Sequence, residues 1–412
     1  MNILYVSSHD QVGQQFNGYL LLNELRSKGF DARMFVQWSQ IDRPGVVYHP
    51  EGKVRPKLNH GLSRLEKELS LHSILPIHSG DITKSDFYKN ADIVHLQLIH
   101  ASQFLSLLSL PKLGREKKLV FTLHDPWMLT GHCVHPMECQ RWKTGCGKCP
   151  DLKRPFSIKT DTTALTWKLK KYIMDRTKVH LVVASRWMGR MVEKSPILSH
   201  LPRSIIPLGL VPNVFKPLDK RTCKKALGIP EDAFVVSFRA VPFSPFKGVE
   251  YIERALLNLK QPSQKQIWLL AFDSVGLIPN LTRKFKTIEL GWMDESAKIV
   301  EALNASDVFL MPSTAEAFGM MAVESMSCGT PVIVFEGTAL PSVIQAPRGG
   351  IAVPSEDPEA LRIALESLMK NPGFYNELAK NGPEIVNEEY TVEKYVARHL
   401  ELYKRLCDVH IT

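Results

Sequence analysis

Residues 307–324 read Asp307-Val308-Phe309-Leu310-Met311-Pro312-Ser313-Thr314-Ala315-Glu316-Ala317-Phe318-Gly319-Met320-Met321-Ala322-Val323-Glu324. Val308 to Met311 form an unbroken apolar run closed by Pro312, the mark of a strand buried on both faces of a parallel sheet. Met320 to Cys328 has helical spacing, and Gly329 and Pro331 stop that helix. Strand, short loop and helix in this order make half of a βαβ unit. Open parallel sheets bind ligands outside the carboxyl ends of their strands, so the loop holding Glu316 is a candidate site. Glu324 lies about one and a half turns into the helix. Phe318, Gly319 and Met320 offer backbone N–H groups at its start, a seat for a diphosphate.

The same alternation extends in both directions. Ile3–Ser7, Ala32–Gln37, Ile93–Gln97, Leu119–Leu123, Leu181–Ala184 and Ser204–Pro207 read as strands, with helices at Gly18–Lys28 and Arg186–Glu193. Phe234–Phe238, Ile267–Ala271, Asp307–Met311, Val332–Phe335 and Ile351–Val353 repeat the scheme, with helices at Val249–Leu259, Glu295–Asn304, Met320–Cys328 and Pro358–Lys370. This predicts an α/β fold with two Rossmann-like, doubly wound domains. Three prolines and one glycine interrupt residues 207–217, where no regular element can form. The expected divisions are an amino-terminal domain over 1–209, a second over 218–390, and a last helix within 391–412 that returns to the first.

Composition narrows the class. With 44% hydrophobic and 23% charged residues among 412, the chain is of ordinary globular type, and no apolar run reaches the ~20 residues of a membrane span. Met1 to Ser8 has no basic flank and no cleavage site, so it reads as a first strand and a cytoplasmic location is expected. The net charge of +10 divides into +13 over residues 1–210 and −3 over 211–412. A basic half suits a phosphorylated acceptor or the anionic inner face of a membrane. Nucleic acid is disfavoured, because no helix-turn-helix, RRM, KH or finger pattern occurs. A well-solvated basic face is the plain alternative.

A second basic site follows the first strand of the second domain, in Ser237-Phe238-Arg239-Ala240-Val241-Pro242-Phe243-Ser244-Pro245-Phe246-Lys247-Gly248. Arg239 offers a planar fork that fits phosphate, and Lys247 a point charge. Together they can take the place of a metal beside a departing diphosphate. Two carboxylates and two bases around an anion seat suit a ligand with hydroxyls at both ends and phosphates between, as in a nucleotide-sugar.

The run from Ser313 through Glu316 and Glu324 to Cys328-Gly329-Thr330-Pro331-Val332-Ile333 resembles the signature of retaining glycosyltransferases of family 4. Pro207 to Pro217 resembles the interdomain linker of the GT-B fold, in which two Rossmann-like domains face one cleft. The resemblance implies a metal-independent transfer of a sugar from a nucleoside-diphosphate donor to a glycan or lipid-diphosphate-linked acceptor, with no cofactor required. It implies that Glu324 takes the ribose, that Arg239 and Lys247 take the diphosphate, and that Glu316 faces the sugar hydroxyls. His124, at the end of Leu119–Leu123, takes the position of a histidine that hydrogen-bonds the transferred sugar, and a structural histidine is the alternative. Gly13 matches only one of the glycines usual in the first loop. In Leu290-Gly291-Trp292-Met293, Trp292 either helps to read the base or anchors its loop. The departure from the pattern is the long gap between Arg239 and Lys247, which holds two prolines.

Four of seven cysteines, Cys133, Cys139, Cys146 and Cys149, fall in an insertion over 131–150. Cys146-Gly147-Lys148-Cys149 has the spacing of a zinc knuckle, and structural zinc and buried free thiols are both open. The insertion resembles one in a subset of bacterial surface-polysaccharide glycosyltransferases, which implies capsule or O-antigen assembly. Leu165 to Met174 mixes bases and aromatics at helical spacing, fitting either a peripheral membrane helix or a packed one. Two other functions remain open: a non-catalytic nucleotide-sugar-binding subunit, and a GT-B sugar-nucleotide epimerase.

Overall fold

The computed structural model describes residues 1–9, 18–38, 45–48, 55–75, 79–100, 105–154, 157–241, 244–259, 266–293 and 295–408. Its first sheet has seven parallel strands: β1 (Asn2–His9), β2 (Asp31–Trp38), β3 (Val46–Tyr48), β4 (Ile93–Leu96), β5 (Lys118–Leu123), β6 (His180–Val183) and β7 (Arg203–Ile205). They lie in the order β3-β2-β1-β4-β5-β6-β7. The second sheet holds β8 (Phe234–Arg239), β9 (Ile267–Phe272), β10 (Lys286–Gly291), β11 (Val308–Met311), β12 (Val332–Phe335) and β13 (Gly350–Val353), ordered β10-β9-β8-β11-β12-β13. Both orders run outward from the middle in two directions, the doubly wound pattern anticipated from the alternation.

Contacts divide the chain into two units, Met1–Leu208 with Tyr395–Thr412, and Gly209–Lys394. Each has its own core. In the second unit, Val236, Phe238, Leu269, Val308, Leu310 and Ile333 are all buried beneath the flanking helices. Every residue of β11 and of β12 is buried, which is why those runs show no alternation. Helix Pro358–Lys370 begins at the Asp357-Pro358 step, where the Asp357 side chain accepts from the N–H groups of Glu359 and Ala360. Past β7 the chain is irregular; Leu210 pairs with Thr391 as an isolated parallel bridge at the entrance to the last helix, Val392–Leu406.

Candidate active site

β8 and β11 are neighbours at the point where the second sheet reverses its winding, so the loops leaving them open a crevice between the following helices. Arg239 is the last residue of β8, and its Nε donates to the carboxylate of Asp273, just past the end of β9. Among the described residues the Nη groups of Arg239 make no hydrogen bond, which leaves the guanidinium fork for an anion. Asp273 adopts a left-handed φ of +58°, held by its N–H bond to the Gly291 carbonyl at 2.9 Å. Sequence reasoning missed Asp273; its one signal was a lone acid closing the apolar run Ile267 to Phe272.

Lys247 ends a short 3-10 turn, Pro245–Lys247, and its Nζ donates to Glu316 Oε2 at 2.9 Å. The backbone explains the meeting. Thr314 N–H donates to the Phe246 carbonyl at 3.0 Å, clasping the β8 loop to the β11 loop. Gly248 turns the chain at φ +70°, and a Cβ there would lie 2.1 Å from the Pro312 carbonyl oxygen. Only glycine lets these two loops close on each other.

Gly319 caps helix Met320–Ser327 at φ +98°, and a Cβ there would lie 2.4 Å from Leu340 Cδ2 and 3.4 Å from Glu316 Cγ. Phe318 is buried edge-on to Tyr390, with ring centres 5.7 Å apart. Its side chain is therefore core, and only its backbone can serve a ligand. Glu324, one turn along, feels burial first and the positive charge of Arg239 second; burial wins and its carboxyl is raised to about 7. At the ends of β8 and β11 the structure thus pairs Lys247 with Glu316 and sets Glu324 within the field of Arg239, with the helix start at residues 318–320 between the two acids in sequence. Trp292 follows β10 with its ring 66% exposed, so burial does not anchor its loop.

In the first unit His124 follows β5, and its Nε2 is 2.8 Å from Gln97 Oε1. Burial lowers the ring to about 3, so it is neutral. Asp125 accepts from Trp127 N–H at 2.8 Å and pairs with His100 Nε2 at 3.0 Å. Burial raises Asp125, but these partners outweigh it and hold the carboxyl below its ordinary value. Gly13 lies outside the described residues.

The insertion brings its four cysteines to one place. Cys133, Cys139, Cys146 and Cys149 line one cavity of about 20 Å³ with His132, room for about one water. Yet among the described residues no three His, Cys, Asp or Glu side chains are arranged to hold a metal ion. The sulfurs are drawn to separate partners: Cys146 accepts from Gly131 N–H at 3.3 Å, and Cys149 donates to the Asp151 carbonyl at 3.4 Å. With no metal bound, burial raises the Cys133 and Cys149 thiols and pushes Cys146 up to about 11. Helix Thr163–Met174 also differs from a simple surface helix. Trp167 and Lys170 are buried, and Lys170 Nζ donates to the Trp127 and Thr130 carbonyls at 2.6 and 3.0 Å. Lys170 therefore fastens the loop beyond His124 from beneath, a part no sequence pattern announced.

Residues 219–385 match the model of the family described as Glycosyl transferases group 1. That stretch is similar to glycosyl transferase group 1 sequence. It falls wholly within the second unit, the one that holds Glu316 and Glu324. The chain is similar to the putative colanic acid biosynthesis glycosyl transferase WcaC of Escherichia coli, 24% identical over 285 residues and 64% of each chain. It is 26% identical over 184 residues to D-inositol 3-phosphate glycosyltransferase 2 of Catenulispora acidiphila, covering 41% of this chain and 43% of that protein. The chain thus spans less than half the length of that relative. Among solved structures, sucrose-phosphate synthase of Thermosynechococcus elongatus aligns over 100% of both chains with TM-score 0.69 at 19% identity. Anabaena Alr3699/HepE in complex with UDP aligns over 98% of this chain and 100% of its own, with TM-score 0.67 at 15% identity. These likenesses show the GT-B fold.

Proposed function

We propose that the chain is a retaining glycosyltransferase that moves a hexosyl group from a nucleoside-diphosphate sugar to a glycan or lipid-diphosphate-linked acceptor in surface-polysaccharide assembly. The observation that carries this reading is the Lys247–Glu316 pair, 2.9 Å apart where the second sheet reverses its winding, with Arg239 acting on Glu324 in the helix that follows. The helix start and the two bases meet the diphosphate. As the anomeric C–O bond breaks, charge grows on the leaving phosphate oxygen, and Lys247 and Arg239 stabilise it more than they stabilise bound donor. The acceptor oxygen bonds the anomeric carbon on the same face, and its proton passes to that phosphate oxygen. Glu316 orients the sugar hydroxyls, Glu324 the ribose, and His124 the transferred sugar. The printed name of WcaC and the UDP in the HepE structure favour polysaccharide work and a nucleotide donor.

The acceptor belongs to the first unit in this reading, and the site of action is the inner face of the cell membrane. Among the described residues no helix is long and apolar enough to cross a membrane. Labelled nucleoside-diphosphate sugars, incubated with and without lipid extract, test the proposal. Transfer to lipid or glycan that persists in EDTA is the expected result. Donor turnover that ignores acceptor favours an epimerase, and binding without turnover favours a non-catalytic subunit; either overturns the proposal.

Glu324 adds a pH signature. Its folded value, about 7, exceeds the ordinary 4.5, so its contribution to stability is complete below pH 4.5 and lost as pH rises through 7. The ribose, donating two hydroxyls, requires the carboxylate, so binding has the opposite sign. Affinity for a nucleoside diphosphate, read by calorimetry, should rise between pH 6 and 8 and be lower and flat in Glu324→Gln.

A further inference from the structure

We infer that Gln97 is a positioning residue for His124, holding its imidazole in the Nε2–H tautomer through a buried row of hydrogen bonds that ends on Tyr403 of the last helix. The catalytic part of this inference rests on the role proposed for His124; the part concerning the ring itself does not.

The row is continuous. Gln97 follows β4 and its backbone N–H donates to the Val6 carbonyl at 2.9 Å. Its side chain is 1% exposed and confined, for a Cβ on Gly18 would approach Gln97 Cγ to 3.0 Å. Gln97 Oε1 lies 2.8 Å from His124 Nε2, while Gln97 Nε2 lies 3.1 Å from His95 Nε2. His95 Nε2 also meets Thr122 Oγ1 at 2.7 Å, and His95 Nδ1 meets the Tyr403 hydroxyl at 2.6 Å. Tyr403 in turn lies 3.0 Å from the Tyr5 hydroxyl. His95 is fully buried, and burial keeps it neutral, with a single N–H.

Donor and acceptor roles propagate along such a row. An amide nitrogen can only donate, so Gln97 donates to His95 Nε2 and the one proton of His95 sits on Nδ1, given to Tyr403. The amide oxygen can only accept, so His124 carries its proton on Nε2. Reversal anywhere reverses the rest. Were Tyr403 to donate to His95, the proton of His95 would move to Nε2, the Gln97 amide would turn over, and His124 would be protonated on Nδ1 instead. An imidazole in the wrong tautomer offers a donor where its ligand needs an acceptor.

Nitrogen-15 NMR of histidine-labelled protein tests this, with the His124 signals assigned by their loss in His124→Asn. The expected spectrum shows Nε2–H for His124 in the parent chain. In Gln97→Leu the tautomer should become mixed, kcat should fall by roughly ten- to a hundred-fold, and affinity for a nucleoside diphosphate should be unchanged. Tyr403→Phe, nearly isosteric, should shift the same signals by a smaller amount and lower thermal stability modestly, because it strands the buried His95 N–H, while the protein stays folded. An Nδ1–H tautomer in the parent chain, or an unaltered one in both variants, overturns the inference. A shifted tautomer with undiminished turnover upholds the positioning of the ring and overturns the role of His124 toward the sugar.

Discussion

Lys247→Ala will lower kcat by about a hundred- to a thousand-fold, the usual loss when one preorganised donor to a developing negative charge is removed. The donor KM should change far less, because the charge Lys247 opposes is largest in the transition state. The argument has a complication that makes it sharper. Lys247 Nζ bonds Glu316 at 2.9 Å, with side-chain exposures of 22% and 16%, so its removal also strands a half-buried carboxylate. Lys247→Met keeps the packing of the stem and separates lost charge from lost volume. If stranding Glu316 were the whole effect, Lys247→Met with Glu316→Gln would turn over no more slowly than Glu316→Gln alone. Wild-type-like kcat in a folded Lys247→Ala protein would remove the metal-free leaving-group argument.

Glu316→Ala is expected to abolish nearly all transfer, and Glu316→Gln to retain a small part of it. Glutamine keeps the length and can still accept from sugar hydroxyls, but it cannot hold the ammonium of Lys247 by charge. The two positions share one contact, so their effects should be non-additive by roughly 1–3 kcal/mol in a double-mutant cycle. Nucleoside-diphosphate affinity, measured without sugar, should fall only a few-fold in either Glu316 variant. Turnover and affinity falling together would mean that Glu316 supports the diphosphate seat and not the sugar.

Much of this site could be read from the chain because its parts are anchored to strand ends. Glu316 and Arg239 follow apolar runs that leave little doubt about where the strands stop, and Lys247 stands before a glycine whose φ of +70° turns the loop. The partners of these residues could not be read. Asp273 is 34 residues from Arg239, and Gln97 is 27 from His124, and bonds between separate loops leave no periodic trace in sequence. The fold shows the same division. Buried β11 shows as an unbroken apolar run, whereas β10, none of whose residues is buried, has no such run to mark its bounds. Asn381-Gly382-Pro383 reads as a turn, yet helix Pro372–Glu389 runs through it. A Cβ at Gly382 would stand 2.7 Å from the Met326 carbonyl oxygen, so tight packing on helix Met320–Ser327 overrides the local preference. The cysteines follow their spacing: Cys133, Cys139, Cys146 and Cys149 line one cavity.

The return of Tyr395–Thr412 to the first unit sets the order in which the protein can mature on the ribosome. The hydroxyl that Tyr5 faces, that of Tyr403, is made 398 residues after it. At about 5–20 residues per second, roughly 20–80 s separate the two. Throughout that interval His95 lacks its Tyr403 partner. The second unit is contiguous, Gly209–Lys394, and can be finished while the first still waits. The unit that is begun first is therefore the unit completed last, and a nascent chain stalled before Tyr403 would carry a finished second unit and an unfinished surrounding of His124.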